Sequence, residues 1–305
     1  MKTAILCPGQ GAQHVGMGKD FYQAHAAARQ VFDQADTALG YSLSSLCFDG
    51  PEDKLQATDQ AQVGIYVTSV AIYRTLESLK KLPISVDMLA GLSLGEYTAL
   101  HIAEAFSFAD GLKLVQARGQ LMQAAALARP STMLALVGAD DATAEAIAHA
   151  SRDAGVIVCA NFNAPGQVVL SGSVEACQKA SQVSQEKGFR AVQLSVAGAF
   201  HSPFMAEAAG QMESILDRTA IVAPKVPVIS NVTATPHTDA ASIRRLLVEQ
   251  IVSPVRWAQS MSRLLADGIQ DFTELGPGRV LTGLMKKIDR QIRVKNISTV
   301  EGLLL

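Results

Sequence analysis

The chain has 305 residues, of which 49% are hydrophobic and 18% are charged, below the roughly 25% charged residues of an average soluble domain. This composition excludes an intrinsically disordered chain and provides for a large core, in two domains or in one domain with an insert. The formal net charge of −2 excludes a molecule whose whole surface attracts nucleic acid or an anionic membrane.

The first part of the chain alternates strands with helices. Residues 3–7 predict a short buried strand, and residues 21–39 predict a helix after a glycine-containing loop. A second apolar helix is predicted over residues 60–79, followed by a strand over residues 85–90. Strands that alternate with helices indicate a parallel sheet covered on both faces.

The pattern changes between residues 128 and 197, where the predicted order is β-α-β-β-α-β, which is typical of a ferredoxin-like unit. The predicted strands are 132–137, 155–160, 167–170 and 190–196, and the predicted helices are 141–151 and 173–187. We interpret residues 128–197 as a small subdomain inserted into an α/β core formed by residues 1–127 and 198–305. A cleft is expected between the two.

Four widely spaced cysteines, Cys7, Cys47, Cys159 and Cys177, lack the pairing that a zinc site uses. They predict buried thiols in a reducing compartment. No segment approaches the roughly 18 apolar residues of a membrane span, and the first apolar run is too short for a signal peptide. We therefore expect a soluble, cytoplasmic protein that has no metal site and contacts neither membranes nor nucleic acid.

The strongest local motif is G-x-S-x-G at residues 91–95, between the predicted strand and a helix predicted over residues 96–104. Small residues on either side of the serine allow a sharp turn that lifts its hydroxyl clear of the sheet. Ser93 is therefore a candidate nucleophile. The alternative is that these residues only close a turn.

A serine nucleophile needs a base, and His201 has the most distinctive setting among the histidines. It follows a predicted strand and precedes Ser202 and Pro203, which are typical of a helix start. The positive end of a helix disfavours imidazolium and would keep His201 neutral. A histidine that only caps a loop is the alternative. The other histidines are interpreted as surface or packing residues: His14, His25, His101, His149 and His237.

The group that orients the histidine is not fixed by the pattern, because no acid between Ser93 and His201 stands in a distinctive loop. A helix predicted from Ala241 ends near Gln250, since Pro254 follows, and its last carbonyls lack helical partners. One of these carbonyls could hold the histidine N–H. A plain helix end fits the pattern equally well.

Arg118 lies on a helix predicted to open at Ser107, three or four residues from each of the apolar residues Leu114, Val115, Leu121 and Met122. Its guanidinium is therefore predicted to be buried, and a buried guanidinium needs an anion. That anion is either an internal carboxylate, which is the commoner arrangement, or the carboxylate of a substrate.

The glycine-rich residues 9–19 fit neither the dinucleotide-binding pattern nor the P-loop pattern. A nucleotide site is therefore not expected there. A glycine loop at the end of a strand can still direct backbone N–H groups at an oxyanion.

Together these motifs resemble the malonyl-CoA:acyl carrier protein transacylase family. The resemblance covers nearly the whole chain and is carried by residues 8–13, 91–96, 198–202, 250–257 and 274–278, together with Arg118. It implies an α/β-hydrolase-like core with a ferredoxin-like insert, in agreement with the predicted elements.

The resemblance also implies roles for individual residues. Ser93 would be the acylated nucleophile, His201 its general base and acid, and Gln250 would orient His201 through its backbone carbonyl. The backbone N–H groups of Gln10 and Leu94 would form the oxyanion hole.

Four further residues would bind the substrate by the same resemblance. Arg118 would pair with the malonyl carboxylate, Asn161 would lie near the histidine, and Gln62 would form part of the pocket wall. Phe200 stands in the form of its motif that is associated with malonyl rather than methylmalonyl units.

Two positions depart from the family pattern. Leu92 stands where many members have histidine, which bears on the shape of the pocket, and Val63 stands where proline commonly follows Gln62.

The implied function is transfer of a malonyl group from malonyl-CoA to acyl carrier protein through a malonyl-serine, without a cofactor, by a chain expected to be monomeric. The alternatives are a serine esterase or thioesterase of the α/β-hydrolase type and a non-catalytic module that binds carrier protein. Carrier proteins are typically acidic, and a cluster of basic residues could bind one, although a solvated helix face is the more common explanation of such a cluster. The cluster comprises Lys286, Lys287, Arg290, Arg293 and Lys295.

Overall fold

A computed structural model of the chain describes residues 2–82 and 85–304. Residues 1 and 305, at which the predicted core segments begin and end, lie outside the described residues, as do residues 83 and 84. The strands are β1 (Lys2–Cys7), β2 (Met88–Gly91), β3 (Ser131–Val137), β4 (Ile157–Ala164), β5 (Gln167–Ser173), β6 (Arg190–Gln193), β7 (Val228–Ile229), β8 (Ile269–Leu275) and β9 (Val294–Ile297).

Helices surround both sheets. The α-helices are α1 (Lys19–Ala24), α2 (Ala26–Leu39), α3 (Leu43–Asp49), α4 (Glu52–Gln56), α5 (Thr58–Ser78), α6 (Gly95–Ile102), α7 (Phe108–Ala128), α8 (Asp141–Ala150), α9 (Val174–Glu186), α10 (Ala206–Arg218), α11 (Ala240–Val252), α12 (Trp257–Ala266) and α13 (Val280–Ile288). Short 3₁₀ turns cover Arg152–Ala154, Pro203–Met205 and Val300–Leu304.

The larger sheet has the strand order β7-β2-β1-β8-β9, and its described pairings are all parallel. The central strand β1 is apolar and buried from Ala4 to Cys7, as a strand covered on both faces requires. Cys7 pairs with Gly91, so β1 and β2 end side by side. The loop after β1 and the turn after β2 therefore meet at the carboxyl edge of the sheet, where open α/β sheets bind ligands.

The smaller sheet has the order β4-β5-β3-β6 and is antiparallel. It packs helices α8 and α9 over an apolar cluster of its own. Its edge strand β4 also bonds to the segment that follows α11, because Val255 donates to the carbonyl of Ala160 and accepts from the N–H of Phe162. This contact links the smaller sheet to the end of α11.

The predicted α/β class with a parallel sheet is confirmed, and the elements of the smaller sheet follow the predicted order β-α-β-β-α-β. The helix predicted over residues 21–39 is wrong in one respect, because extended backbone at His25 divides it into α1 and α2. No glycine or proline marks this break, so the sequence carries no signal for it. Strand β6 ends at Gln193 rather than at residue 196, and residues 194–196 line a cavity instead.

The described helices include none with both the length and the apolar character needed to cross a bilayer. The four cysteines are buried and free, as predicted.

Candidate active site

Ser93 occupies the turn between β2 and α6. Its φ of 51° lies in the left-handed region, which serine adopts only where the surrounding structure enforces it. A Cβ atom at Gly95 would overlap the backbone carbonyl of Cys7, so only glycine lets α6 begin this close to the sheet. The Ser93 N–H donates a 2.6 Å hydrogen bond to Oδ1 of Asn231. These constraints hold the serine at the carboxyl edge of the sheet.

The imidazole of His201 contacts the Ser93 hydroxyl. Its Nε2 lies 2.8 Å from Oγ of Ser93, and its Nδ1 lies 2.7 Å from the backbone oxygen of Gln250. Because a carbonyl oxygen only accepts, Nδ1 carries the ring proton and Nε2 can accept the serine proton. Burial, followed by the positive charge of Arg118, lowers the pKa of His201 from 6.5 to about 4. The ring is therefore a neutral base at physiological pH.

The carbonyl of Gln250 is free because of the way α11 ends. In a continuing helix this oxygen would accept the N–H of residue 254, but that residue is proline and has no N–H. The oxygen is therefore available to His201. The structure thus places the predicted orienting carbonyl next to the predicted base.

Arg118 lies on α7 and is 1% exposed, as the spacing of its apolar neighbours predicted. Its Nη1 donates to Oε1 of Gln62 at 2.6 Å. Its Nη2 donates to Oγ of Ser93 at 3.0 Å and to Oε1 of Gln250 at 2.9 Å. Burial lowers the pKa of Arg118 below its ordinary value. One guanidinium nitrogen thus touches the hydroxyl of the predicted nucleophile.

The internal salt bridge that the sequence favoured for Arg118 is not found, since no described carboxylate forms an ion pair with it. Its hydrogen-bond acceptors are amide and hydroxyl oxygens, and its Nε has no partner among the described residues. Gln62 reaches it from helix α5. The backbones of helices α5 and α7 lie close together beside Arg118. A Cβ atom at Gly119 on α7 would lie only 2.9 Å from the Cα atom of Asp59 on α5.

Gln10 and Leu94, the two residues expected to form an oxyanion hole, lie close to Ser93. Gln10 lies in the loop after β1 and lines the cavity, and Leu94 follows Ser93 at the start of α6. Within the described part of the chain, neither backbone N–H donates to another group. Both donors are therefore available to a ligand.

The profile of the acyl transferase domain family matches residues 5–302 of the chain. The malonyl CoA-acyl carrier protein transacylase of Bacillus subtilis (strain 168) is 42% identical over 304 residues, which are 99% of this chain and 95% of that protein. The chain belongs to the acyl transferase family.

Solved structures of the family share the whole fold. The acyl-carrier-protein-S-malonyltransferase from Bartonella henselae has a TM-score of 0.96 and 39% identity, over 100% of this chain and 98% of that chain. The solved complex of a type II PKS acyl-carrier protein with its malonyl-transacylase contains a chain of the same fold. That chain matches with a TM-score of 0.96 and 34% identity, over 100% of this chain and 98% of that chain. The parallel and antiparallel sheets are therefore those of known malonyltransferases.

The acyl transferase site opens into a cavity of about 390 Å³ between the two sheets. Ser93, His201 and Gln10 line it. The predicted substrate-binding residues Asn161, Phe200 and Gln62 also line it, whereas Arg118 lies behind Ser93 and Gln62. No three His, Cys, Asp or Glu side chains within residues 2–82 and 85–304 are grouped as metal ligands.

The two departures from the family pattern differ in their relation to this cavity. Leu92 lines it and is 9% exposed, so it contributes to the pocket shape as predicted. Val63 lies inside α5, is fully buried and is absent from the cavity wall.

Sequence reasoning missed a buried polar network behind Ser93. Glu96 accepts from the backbone N–H of Asn231 at 3.1 Å, from Nε2 of Gln250 at 2.7 Å and from Nε2 of His237 at 2.8 Å. Asn231 in turn accepts from Ser93 and donates to the backbone oxygen of Gly91 at 2.7 Å. The only sequence signal was the position of Glu96 directly after the G-x-S-x-G motif.

Proposed function

We propose that the chain transfers a malonyl group from malonyl-CoA to the phosphopantetheine thiol of acyl carrier protein through a malonyl ester of Ser93. One observation carries this proposal: the Ser93 hydroxyl lies 2.8 Å from Nε2 of His201 and 3.0 Å from Nη2 of Arg118. A nucleophile and a base thus line one cavity, and a cation without a carboxylate partner among the described residues contacts the nucleophile from behind. The names of the relatives support the choice of donor and acceptor.

In the first half-reaction, Oγ of Ser93 attacks the thioester carbonyl carbon while Nε2 of His201 takes the hydroxyl proton. The negative charge that develops on the carbonyl oxygen is stabilised by the N–H groups of Gln10 and Leu94. The intermediate then expels coenzyme A, whose sulfur receives the proton from His201. A malonyl-serine ester remains.

In the second half-reaction, the carrier thiol gives its proton to the neutral His201 and attacks the ester carbonyl. Ser93 leaves and takes the proton back from Nε2. The carbonyl of Gln250 stabilises the transient imidazolium through the Nδ1 proton in both halves. Acylation and transfer therefore use the same groups in reverse order.

Arg118 binds the malonyl carboxylate in this proposal, because a planar guanidinium can donate two parallel hydrogen bonds to it. Its lack of a carboxylate partner among the described residues supports this role. Since Arg118 is only 1% exposed, Gln62 or the Ser93 hydroxyl has to release it before a substrate binds.

We propose that Asn161, Gln62 and Phe200 bind the substrate as walls of the cavity, with Leu92 restricting its width. Phe200 is held in place through its backbone oxygen, which accepts a 2.7 Å hydrogen bond from Oγ of Ser171. The rigidity of this wall suits an acyl chain without a branch.

The finer fold assignment is also a proposal. The strand order β4-β5-β3-β6 in chain order β-α-β-β-α-β matches a ferredoxin-like subdomain at residues 128–197. The parallel sheet with a serine turn after one strand supports an α/β-hydrolase-like core formed by residues 1–127 and 198–305.

We propose that acyl carrier protein docks near the predicted basic cluster on and after α13. All five residues are exposed, and none forms an ion pair with a described residue: Lys286, Lys287, Arg290, Arg293 and Lys295. Helix α13 also lines the cavity through Val280 and Leu284, which brings the part of the cluster on α13 near its mouth, whereas Lys295 lines a separate pocket. The monomeric state, the cytoplasmic location and the absence of a cofactor stay predictions from the sequence.

The decisive experiment is to incubate the protein with malonyl-CoA and to locate the covalent adduct by peptide mass spectrometry. We expect one malonyl group on the peptide that contains Ser93, and its loss on addition of phosphopantetheinylated carrier protein. Rapid release of malonate without a carrier protein would instead indicate the esterase, and an unmodified chain would indicate the non-catalytic module. The relatives favour neither of these alternatives.

A further inference from the structure

The buried carboxylate of Glu96 is the one group in the polar network whose charge the proposed mechanism does not use. It is fully buried, and its described hydrogen-bond partners are Asn231, His237 and Gln250. A buried carboxylate is costly unless an opposite charge compensates it. His237 touches Glu96 directly but is a cation only when its ring is protonated, whereas the permanent positive charge that this network reaches, through Gln250, is Arg118.

We infer that Glu96 is the counter-ion of Arg118 in the substrate-free protein and that it acts through the side chain of Gln250. Glu96 accepts from Nε2 of Gln250 at 2.7 Å, while Oε1 of the same amide accepts from Nη2 of Arg118 at 2.9 Å. The amide therefore bridges the two charges. Glu96 is a positioning residue in this scheme, since it reaches the substrate only through others.

The orientation of the Gln250 amide is fixed by its surroundings. Its Nε2 faces three oxygen atoms, those of Glu96, the Ser93 backbone and the Asn231 side chain, while its Oε1 faces the guanidinium. A flipped amide would place oxygen against oxygen and N–H against N–H. The bridge thus has a single arrangement, in which both dipole ends match the charges that they contact.

This arrangement compensates Arg118 without a direct ion pair. A carboxylate in direct contact would occupy guanidinium donors that the proposed function assigns to the malonyl group. With the amide between them, the guanidinium keeps donors for the substrate, and Glu96 and the substrate carboxylate share its charge. Glu96 therefore sets how strongly the site favours an acyl group with a carboxylate, an inference that rests on the proposed function of Arg118.

Glu96→Gln isolates the charge with little change in shape. Gln at this position can keep its oxygen towards Asn231 and Gln250 and turn its amide NH₂ towards His237. His237 can accept that hydrogen by moving its ring proton to Nδ1, which has no described partner. The hydrogen bonds are thus preserved while the negative charge is removed.

The test measures affinities for malonyl-CoA and acetyl-CoA by calorimetry in a Ser93→Ala background, in which neither ligand can acylate the protein. Without Glu96, the substrate carboxylate alone compensates Arg118. We therefore expect Glu96→Gln to increase the preference for malonyl-CoA over acetyl-CoA about tenfold, with acetyl-CoA affinity nearly unchanged. The exposed Glu104, paired with Lys225, gives the matched control Glu104→Gln, which should leave the preference unchanged.

An unchanged or reduced preference in Glu96→Gln would overturn the inference. In a further Arg118→Ala background the effect of Glu96→Gln should vanish, because the two residues act on the same charge. If Arg118→Ala leaves the preference for malonyl-CoA intact, the proposed role of Arg118 is wrong. If Arg118→Ala removes the preference while Glu96→Gln has no effect, Arg118 keeps its role and only the inference that Glu96 is its counter-ion is wrong. Gln250→Ala keeps the backbone carbonyl that holds His201 but removes the bridging amide, so it should also increase the preference for malonyl-CoA over acetyl-CoA. This variant tests the inference if Glu96→Gln does not fold.

Discussion

The two sheets contribute different parts of the cavity. The larger, parallel sheet presents reactive groups where its strands end, with Gln10 after β1 and Ser93 after β2. The smaller, antiparallel sheet presents walls, among them Met133 on β3, Asn161 on β4 and Val169 on β5. We therefore expect changes at the end of the larger sheet to affect the chemistry, and changes around the smaller sheet to affect which molecules enter.

The base and its partner come from the segments that join these two regions. His201 follows the last strand of the smaller sheet, and Gln250 lies at the end of α11, five residues before Val255, which pairs with β4. The positions of His201 and Gln250 at the site therefore depend on how the smaller sheet packs against the core. The following predictions separate the contributions of the two regions, beginning with the largest expected effect.

The largest effect is expected at the end of β2, from Ser93→Ala. Removal of the nucleophile should reduce malonyl transfer by at least about 10³-fold, because the covalent intermediate can no longer form. Steady-state transfer to carrier protein measures the loss. As a control, Ser195→Ala changes a serine that also lines the cavity, on the side of the smaller sheet, and should retain most activity. Comparable rates for Ser93→Ala and the parent chain would exclude a serine ester.

The next effect is expected from Arg118→Ala, which separates acyl transfer from acyl selection. Loss of two charge-assisted hydrogen bonds to the carboxylate should reduce kcat/KM for malonyl-CoA about 100-fold. Reaction with acetyl-CoA should be unchanged or faster, because the uncharged acyl group never used the guanidinium. Arg74→Ala, at a half-exposed arginine paired with Glu77, is the matched control. Equal losses for both thioesters would contradict the carboxylate-binding role.

A smaller effect is expected in the pH dependence of acylation. Only neutral His201 accepts the serine proton, so kcat/KM should rise as pH increases through about 4, the pKa of His201, and stay constant at higher pH. Arg118 contributes to this low value, since its positive charge disfavours imidazolium. Arg118→Ala should therefore move the midpoint upward, by up to about one unit.

The measurement for this prediction uses acetyl-CoA between about pH 3 and 8, because the acetyl group has no carboxylate that titrates or contacts Arg118. Burial is the first cause of the low pKa and remains in the variant, so the midpoint should stay below 6.5. A midpoint that moves downward, or that does not move, would show that Arg118 and His201 are electrostatically independent.

Much of the site could be predicted from the sequence because its signals are local. Ser93 lies in a pentapeptide motif, the burial of Arg118 follows from helical spacing, and Pro254 predicts the free carbonyl at Gln250. The roles of Asn161 and Phe200, by contrast, came only from the family resemblance. Nothing in their local sequence marks them.

The polar network could not be predicted, because its partners are distant in sequence. Glu96 lies 135 residues from Asn231 and 141 from His237, and single polar contacts across such distances leave no periodic pattern. The same reason explains the wrong expectation for Arg118. An internal acid was the commoner partner, but the partner that the fold supplies is Gln62, 56 residues earlier on another helix.

The smallest effect is expected at the mouth of the cavity, from Lys287→Ala. Lys287 is exposed on α13, and its Nζ donates a 2.6 Å hydrogen bond to Oε1 of Gln167, at the start of β5. It thus connects the core to the smaller sheet beside the proposed docking surface, without contacting Ser93. We expect a three- to tenfold increase in KM for acyl carrier protein, strongest at low salt, because a rim charge mainly accelerates association with an acidic partner.

The acylation half-reaction separates docking from chemistry in this variant. Acylation of Lys287→Ala by malonyl-CoA should proceed at the parental rate, since the groups at the end of β2 are unchanged. Lys187→Ala, at an exposed lysine beyond α9, should alter neither half-reaction. A salt-independent loss of rate in both half-reactions would instead mean that Lys287 holds the smaller sheet in position and does not bind the carrier protein. In that case the residues at the cavity mouth would act on the fold of the site and not on docking.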